Sequence, residues 1–558
     1  MNEQTTISNA SQIPNNAYPI NDYFQPKEKV TTKDSFLRKQ MKSQFSFFAP
    51  VTILYALFYT FCLYKNASGI TYPFFVVGTF CYFFLSMKKL KVPYKKDSLF
   101  YIISIFLLGL SNCCTDSIQL LRLNKLGIFI LASILVLHTV YQDTGWSFLK
   151  YTGAFVRTGW DAFVSLFTPF SDLTSFCAAK KEEKTTKESQ LVFILLGIAI
   201  SIPILFIMIT LLSSADIVFH NVIHNLFSFD LAFTTLIRIG LMITCTFFAS
   251  YALLSALSKK NIKEEVTEKK ILEPIVAITV TGMLCTVYLL FSVIQILYLF
   301  IGKMKLPAGY TYSVYAREGF FQLLTVCIIN LVIVLFCISF FKDNIILKIL
   351  LTIISGCTYI MILSSAIRMF MYISVYNLTF LRVFVLWALM VIFLLMIGIT
   401  IYIYNSRFPL FFYSIAITTV FYIVLSFVHP DYLIARYNLY RAQAESTGDF
   451  DNLRYLSYLS ADAAPVLLDT DKNPYIPVEL DTMKKFVLLE NKYGYESKDY
   501  SQEKYKQLQK EIKAVLNDEN DFMNPIYYYY KTIYKSSSAM NFRNFNFSIF
   551  IAECKAGL

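Results

Sequence analysis

The sequence predicts an all-α polytopic integral membrane protein with about 11 transmembrane helices and a small, mostly α-helical soluble domain at its C-terminus. Three observations predict this fold class. First, 56% of the 558 residues are hydrophobic and only 16% are charged, whereas soluble domains are about a quarter charged. Second, apolar runs recur from residue 45 to residue 428. Third, the chain beyond residue 430 returns to the composition of an ordinary soluble domain.

The apolar runs define the individual spans, because a helix needs about 20 apolar residues to cross a bilayer. The candidate spans are 45–64, 70–87, 98–113, 126–141, 190–212, 231–257, 271–301, 319–341, 345–366, 380–404 and 408–428. The third and fourth candidates are short, and a re-entrant pair is an alternative for them. The seventh is long enough to be tilted or to extend beyond the bilayer.

These spans divide the chain into five parts. We expect a disordered cytoplasmic tail (1–43), four transmembrane helices (44–141), an interfacial amphipathic helix with a linker (142–189), seven transmembrane helices (190–428) and the soluble C-terminal domain (429–558). The tail is polar, rich in Asn, Gln and Pro, and has no apolar core, which is typical of disorder and not of a signal peptide.

The flanking charges predict the orientation. Alternate loops, beginning with the N-terminal tail, carry 22 Lys and Arg residues, whereas the intervening loops carry six. Cytoplasmic loops of membrane proteins are enriched in Lys and Arg, so the N-terminus is expected in the cytoplasm of a multi-pass plasma-membrane protein. Eleven spans would then place the C-terminal domain outside.

The segment between the fourth and fifth spans has aromatic residues near helical spacing. They are Trp146, Phe148, Phe155, Trp160, Phe163 and Phe167. This pattern favours an interfacial amphipathic helix with aromatic side chains at headgroup depth. A ligand groove is the alternative.

The C-terminal domain is predicted to contain several amphipathic helices. Leu433, Tyr437 and Tyr440 supply one apolar face, and Leu456 and Leu459 supply another. The segments "NPIYYYYKTIYK" and "FRNFNFSIFIAE" are rich in Tyr and Phe, and their pattern leaves strand and interfacial helix both open.

Polar residues within the spans are the candidate functional residues. In a helix through "YAREGFFQLL", Glu318, Gln322 and Asn330 would form one polar stripe after Arg317. Such residues face the protein interior or a watery cavity, because contact with lipid is unfavourable. The stripe is either an ion or substrate path or a set of interhelical hydrogen bonds, with Arg317 reaching the headgroups.

Two arginines extend this candidate site. Arg368 shares a helical face with Tyr372 and Tyr376, and Arg382 begins the next span. On the predicted topology both lie at the outer membrane level with Arg317, Glu318 and Asp216, and Glu318 is the expected counter-ion of Arg368 or Arg382. This polar cluster could hold helix ends in register or bind an anionic group.

Asp216, His220 and His224 follow one another at intervals of four residues. This spacing places possible metal ligands on one helical face. The alternative is an interfacial helix with a wet polar face, and we predict no metal site.

The remaining sequence contains no recognisable catalytic or cofactor-binding motif. It has no phosphate-binding loop, no nucleophile elbow and no paired CxxC, so we predict no cofactor and do not favour an enzyme. The basic excess lies in the membrane region, which argues against nucleic acid as a partner. The expected partners are the lipid bilayer and a protein bound through the C-terminal domain.

Four motifs carry a resemblance to a known family: "SSAD" near 213–216, "YAREGFFQLL", "RMFMYISVYNLTFLRV" and "HPDYLIARYNLYRA…LRYLSYLSADAAPVLL". Over roughly residues 190–470 they resemble a family of bacterial polytopic membrane proteins catalogued only as a domain of unknown function. Two residues depart from the family pattern: Asn377 stands where Gly is expected, and His429 stands where Asn is usual. The resemblance implies the architecture but no activity.

Three classes of function therefore compete, of which a membrane enzyme is the third, because the sequence offers no nucleophile–base or metal set. The number of spans and their polar residues favour a transporter or channel with a polar cluster at the outer membrane level. A membrane sensor or assembly scaffold that uses the C-terminal domain for interactions is the alternative.

Overall fold

The computed structural model describes most of the chain. The described residues are 35–66, 68–143, 145–181, 208, 212, 215–216, 232–259, 270, 272–297, 312–445, 454–493, 507–508, 510–511 and 524–558. Regular structure in these ranges is helical, apart from an isolated bridge between Leu272 and Phe341. The predicted all-α fold class is confirmed.

The first set of helices precedes residue 260. Its members are α1 (Phe36–Ser43), α2 (Phe45–Leu63), α3 (Thr71–Lys89), α4 (Ser98–Cys114), α5 (Ile118–Val140), α6 (Phe148–Val164), α7 (Thr168–Lys181) and α8 (Ala232–Ser258). Helix α2 packs on α3 and α8, and α4 packs on α3 and α5. Their shared core is rich in aromatic residues, among them Phe48, Tyr72, Tyr101 and Tyr251.

The second set forms its own core. It comprises α9 (Pro274–Gln295), α10 (Tyr312–Phe340), α11 (Ile345–Tyr376) and α12 (Phe380–Tyr404). Helix α11 lies at the centre, since it contacts α9, α10 and α12. Helix α13 (Leu410–Phe427) joins the two sets because it packs on α12 and on α4.

Eight helices in the described part of the chain are long and apolar enough to cross a membrane. They are Phe45–Leu63, Ile118–Val140, Arg238–Ser258, Pro274–Gln295, Gly319–Phe340, Ile345–Tyr376, Phe380–Tyr404 and Leu410–Phe427. Two further predicted spans coincide with α3 and the shorter α4, and the predicted span 190–212 lies largely outside the described residues. Helix α5 begins eight residues before its predicted start and is not short. The total number of spans stays a prediction.

The helix ends form two distinct surfaces. At the first, the N-terminal helix is held by a buried ion pair: Arg38 donates two hydrogen bonds to the Asp172 carboxylate, at 2.8 and 2.5 Å, and Tyr251 also donates to it. The loop "KKLKVPYKK" at 88–96 lies at the same end, since Gln40 of α1 donates to the Lys89 carbonyl at 3.0 Å. We call this surface the basic end. The other surface, the junction end, contains the turns at 64–66, 68–70, 115–117, 377–379 and 428–429, which contact the C-terminal part of the chain.

The predicted interfacial helix corresponds to α6. Phe155, Trp160 and Phe163 on it are exposed, whereas Trp146, just before it, is buried against Tyr151. The exposed aromatic face suits a position at the bilayer surface. This membrane placement stays a prediction.

The C-terminal helices pack on the junction end. They are α14 (Pro430–Glu445), a short 3₁₀ turn with α15 (Ala464–Leu467), α16 (Leu480–Tyr493), α17 (Pro525–Ser538) and α18 (Phe547–Ala556). The two Tyr- and Phe-rich segments left open between strand and helix are the helices α17 and α18. Their buried residues make a separate core that includes Phe486, Tyr527 and Tyr529.

The predicted apolar face of α14 does not pack against the core of the C-terminal helices. Leu433, Tyr437 and Tyr440 on α14 are exposed. The opposite side of α14 carries Ile434 and Leu439 into the core. The smaller side chains on that side allow close approach to the 3₁₀ turn, so the large aromatic residues remain outside.

Candidate functional site

Arg368 is a buried member of the predicted polar cluster. It lies in α11 and is only 7% exposed. Its Nη2 donates to Gln295 Oε1 of α9 at 3.4 Å, and the Ser364 hydroxyl donates to the same oxygen at 2.8 Å. A charged side chain inside a helical bundle needs such polar partners. Arg368 therefore links α11 to α9.

The guanidinium of Arg368 also lies against α10. An ideal Cβ built on Gly319 would stand 1.7 Å from Arg368 Nη1, so the glycine is needed for this close approach. Glu318 precedes Gly319 in the same helix. The side chains of Arg317 and Glu318 lie outside the described part of the structure, and their pairing stays a prediction.

Arg382 makes a different set of contacts. Its Nη1 donates to the Tyr376 carbonyl at 2.5 Å and also to the Asn377 carbonyl. Its guanidinium lies 4.4 Å from the centre of the Tyr372 ring, a cation–π distance. A cation at a helix C-terminus satisfies carbonyl groups that have no partner within the helix. Arg382 thus caps α11.

The two amides of the predicted stripe have different surroundings. Gln322 is exposed. Asn330 is fully buried, and its side-chain amide donates to Thr358 Oγ1 of α11 at 2.9 Å. An interhelical hydrogen bond of this kind is the geometry expected of polar residues that join helices.

The candidate metal ligands lie mostly outside the described residues. Asp216 is described and exposed, whereas His220 and His224 are not described. Among the residues with a described position, no group of three or more His, Cys, Asp or Glu residues is placed to hold a metal ion.

A second polar cluster lies at the junction end, and sequence reasoning did not identify it. Asp462, in the 3₁₀ turn, accepts hydrogen bonds from Thr115 Oγ1 at 2.5 Å, the Asp116 backbone N–H at 3.1 Å and the Ser548 hydroxyl. His429 Nδ1 lies 3.2 Å from the same carboxylate. We call Thr115, Asp116, His429, Asp431 and Asp462 the junction cluster.

The cluster ties together segments far apart in the chain. Thr115 and Asp116 lie between α4 and α5, His429 lies between α13 and α14, and Ser548 begins α18. Asp431 accepts from the Ser460 hydroxyl at 2.6 Å. Buried carboxylates require partners of this kind, so the junction cluster fixes the C-terminal helices on the membrane helices.

The carboxylates of the cluster influence one another. Burial, together with the charges of Asp462 and Asp431, raises the pKa of Asp116 to about 6. Burial would also raise the pKa of Asp462, but hydrogen bonds from His429, Ser548 and Thr115 outweigh it and lower that pKa. The hydrogen bond to Asp462 raises the pKa of His429. The cluster therefore favours an ionised Asp462 beside a protonated His429.

Amide side chains reinforce the same attachment. Asn438 of α14 bonds both backbone groups of Leu378, at 2.8 and 2.9 Å. Asn546 donates to the Thr115 carbonyl at 2.9 Å, and Arg441 donates to the Ile373 carbonyl at 3.1 Å. The sequence signal for Asp462 was an acidic residue among small and apolar ones, in "LSADAAPV".

The helical fold, with eight helices in the described residues able to cross a membrane, defines a multi-pass α-helical membrane protein. The chain belongs to the family described as Domain of unknown function (DUF4153), whose model matches residues 102–470. This range contains all five residues of the junction cluster. No curated protein and no solved structure matches the chain.

Proposed function

We propose that the protein is a membrane sensor or assembly scaffold that presents its C-terminal helices to a protein partner. The observation that carries this proposal is the buried Asp462 carboxylate. It joins the α4–α5 turn, the α13–α14 turn and α18 through Thr115, His429 and Ser548. A domain held by buried, hydrogen-bonded groups is oriented by the membrane helices, so a change in either part is transmitted to the other.

The exposed face of α14 is the candidate interaction surface. Leu433, Tyr437 and Tyr440 lie along one side of this helix, and Tyr440 is 72% exposed. Exposed apolar patches rimmed by polar residues are typical of protein–protein contacts, and Tyr is enriched at their energetic centres.

The proposed location is the plasma membrane, with the N-terminus in the cytoplasm and the C-terminal helices outside. The distribution of charge supports this orientation. Lysines and arginines such as Arg38, Lys39, Lys88 and Lys96 lie at the basic end, and the C-terminal helices pack on the opposite end. Positively charged helix ends are retained in the cytoplasm.

The test compares recovery of bound proteins by the full-length chain and its variants after crosslinking in cells. Tyr437→Ser/Tyr440→Ser removes the aromatic face of α14 without touching its buried side. Leu488→Ser on α16, an apolar side chain that is 48% exposed, is the control. The proposal expects loss of one specific crosslinked product in the double variant alone. Unchanged recovery would exclude this face as the interaction surface.

A transporter or channel is the second candidate. It is supported by Arg368, whose charge is buried among α9, α10 and α11 beside Gln295 and Gly319. Glu318→Gln would then abolish ion flux in proteoliposomes while leaving the protein folded and inserted. If the cluster is structural, the same substitution lowers thermal stability instead, and exchanging the charges of Glu318 and Arg368 partly restores it.

A further inference from the structure

A large cavity opens at the basic end, between the two sets of membrane helices. Its volume is about 900 Å³, within the range of roughly 300–1,000 Å³ typical of small-ligand sites. One wall is formed by the start of α4, the end of α5 and the start of α6. The other is formed by the ends of α10 and α12 and by the 405–409 turn.

The cavity has a buried polar wall. His138 and Asp143 line it, with His138 Nδ1 2.6 Å from Asp143 Oδ2. Tyr151 donates to the same carboxylate, and Lys95 Nζ lies 3.3 Å from its other oxygen. The charge of Asp143 is thereby balanced. His138 Nε2 is buried and has no hydrogen-bond partner among the residues that the structure describes.

Two cationic side chains stand at the mouth of the cavity. Lys96 lies before α4, and Arg407 lies between α12 and α13. Two acidic residues, Asp97 and Asp143, also line the cavity, and Asp97 offsets one of these two positive charges. Because Lys95 compensates Asp143 from outside the lining, the site as a whole has an excess of positive charge that favours an anion.

The apolar part of the cavity continues between the helices. Phe148 and Leu335 line both this cavity and a second one of about 500 Å³. The second cavity has almost entirely apolar walls, formed by side chains of α4, α5, α10, α12 and α13 such as Leu108, Leu131 and Ile399. Because the two cavities share Phe148 and Leu335, they adjoin one another, and the second extends between the membrane helices.

We propose that the two cavities bind one membrane lipid with an anionic phosphate headgroup. The phosphate lies between Lys96, Arg407 and His138, and the acyl chains occupy the apolar cavity. This inference does not depend on the scaffold function.

The chemistry of the two compartments identifies the ligand class. A small soluble anion would leave the apolar cavity unused, and an uncharged apolar molecule would leave His138 Nε2 without a partner, which is costly for a buried polar group. A phospholipid satisfies both compartments. Anionic lipids are also available in the cytoplasmic leaflet, the leaflet to which the charge distribution assigns the basic end.

Tryptophan fluorescence provides the test, because Trp146 lines the first cavity and Trp387 lines the second. Trp160, which is 66% exposed, is replaced by Phe to remove the signal from the bilayer surface. The full-length chain is reconstituted in phosphatidylcholine vesicles with increasing amounts of phosphatidylglycerol whose acyl chains carry bromine, a contact quencher. Quenching is expected to saturate at a low fraction of brominated phosphatidylglycerol.

A matched pair of variants tests the headgroup contacts. Lys96→Ala/Arg407→Ala should raise the half-quenching fraction of brominated phosphatidylglycerol by about fivefold for each charge removed, the factor for a basic side chain near an anionic lipid surface. Lys39→Ala/Lys88→Ala removes two exposed charges at the basic end that do not line the cavity, and should leave the fraction unchanged.

Three results would overturn the proposal. Equal quenching by brominated phosphatidylcholine in unlabelled phosphatidylglycerol vesicles would mean that any lipid fills the gap. Equal effects of the two double variants would mean that only the surface charge matters. Recovery of fluorescence on adding inorganic phosphate would assign the site to a free anion and not to a lipid.

Discussion

The guanidinium of Arg368 occupies the space that a side chain at Gly319 would need. An ideal Cβ at position 319 would lie 1.7 Å from Arg368 Nη1 and 2.9 Å from Cζ. The glycine of the "YAREGF" motif therefore lets a charged side chain of α11 reach the backbone of α10. It also places Arg368 beside the helical turn that contains Glu318.

Gly319→Ala is expected to destabilise the protein by about 1 kcal/mol relative to the control below, the usual contribution of one hydrogen bond. The added methyl must displace the Arg368 guanidinium from Gln295. Thermal unfolding in detergent measures the effect. Gly356→Ala in α11, where nothing lies within 4 Å of the new Cβ, is the control and should be neutral or stabilising, because Ala favours helix over Gly.

A double-mutant cycle tests the mechanism of that effect. If the methyl acts through the guanidinium, the destabilisation by Gly319→Ala should largely disappear in an Arg368→Met background. An equal loss of stability in both backgrounds would contradict the steric relationship between the two residues.

Asn377→Gly is expected to stabilise the protein by about 1 kcal/mol. Asn377 has φ +64° and ψ −176°, a region that is almost exclusive to glycine and costs other residues roughly 1–3 kcal/mol. The Asn377 carbonyl, which accepts from Arg382, is retained in glycine. Asn405→Gly, at φ −123°, is the control for the effect of glycine on the unfolded chain and should not stabilise. Equal midpoints of thermal unfolding for wild type and Asn377→Gly would contradict the strain at this turn.

The two departures from the family pattern lie at positions with an unusual backbone conformation. Asn377 stands where the family resemblance implies Gly, and His429 stands where it implies Asn. Both have positive φ, +64° and +52°, the region in which glycine is favoured and Asn is tolerated. His429 accepts this backbone conformation and gains a hydrogen bond to Asp462 that helps to attach the C-terminal helices.

The helices were predictable because each leaves a local signal, an apolar run of sufficient length. The pattern of polar residues within such runs also predicted that Arg368 and Asn330 face the protein interior, and both are buried, whereas a functional role for them stays a prediction. For the junction cluster the local signal is limited to Asp462 among small and apolar residues. Its partners could not be predicted, since Thr115 and Asp462 are 347 residues apart in the chain. The exposure of the Tyr437 and Tyr440 face of α14 also depends on tertiary contacts and was not predictable. Apolar periodicity identifies an amphipathic helix, but it does not say whether a face that contains tyrosines is buried or exposed.

Asp462→Asn is expected to destabilise the attachment of the C-terminal helices by roughly 1–3 kcal/mol, the usual cost of leaving buried hydrogen-bonding groups without a suitable partner. The neutral amide loses the interaction with His429, and its NH₂ group would face the donors of Thr115 or Ser548. Asp469→Asn, which removes a surface pair with Lys472, is the control and should have little effect. Comparable unfolding curves for the two variants would rule out a structural role of the junction cluster.

The stability of the protein should fall as the pH rises from 5 to 8. The folded-state pKa of Asp116 is raised from 3.8 to about 6, so folding favours the protonated carboxyl. This contribution is fully present below about pH 4 and is lost as the pH rises through 6. The whole shift of about two pKa units corresponds to roughly 3 kcal/mol at most, and roughly half of it is lost above pH 5. The pKa of His429 is also raised, and its contribution is lost at higher pH. The lowered pKa of Asp462 acts in the opposite direction, but only below pH 4.

Thermal unfolding measured across this pH range should therefore show a decreasing midpoint for the wild type. Asp116→Asn keeps the size of the side chain and removes its titration, so the variant should have a flatter profile between pH 5 and 7. A wild-type midpoint that rises over this interval, or an unchanged slope in the variant, would contradict the assignment to Asp116.

Cysteine labelling in intact cells should place the C-terminal helices outside. Cys554 on α18 is exposed, and Asn546, the N-cap residue of α18, donates to the Thr115 carbonyl at the junction end. Cys177 on α7 lies near the basic end, since α7 carries the Asp172 partner of Arg38. In versions of the chain that retain only one of these cysteines, a membrane-impermeant maleimide should label Cys554 in intact cells and Cys177 only after permeabilisation. The reverse pattern would mean that the basic end faces outwards, against the charge bias, whereas labelling of both sites only after permeabilisation would contradict their assignment to opposite ends.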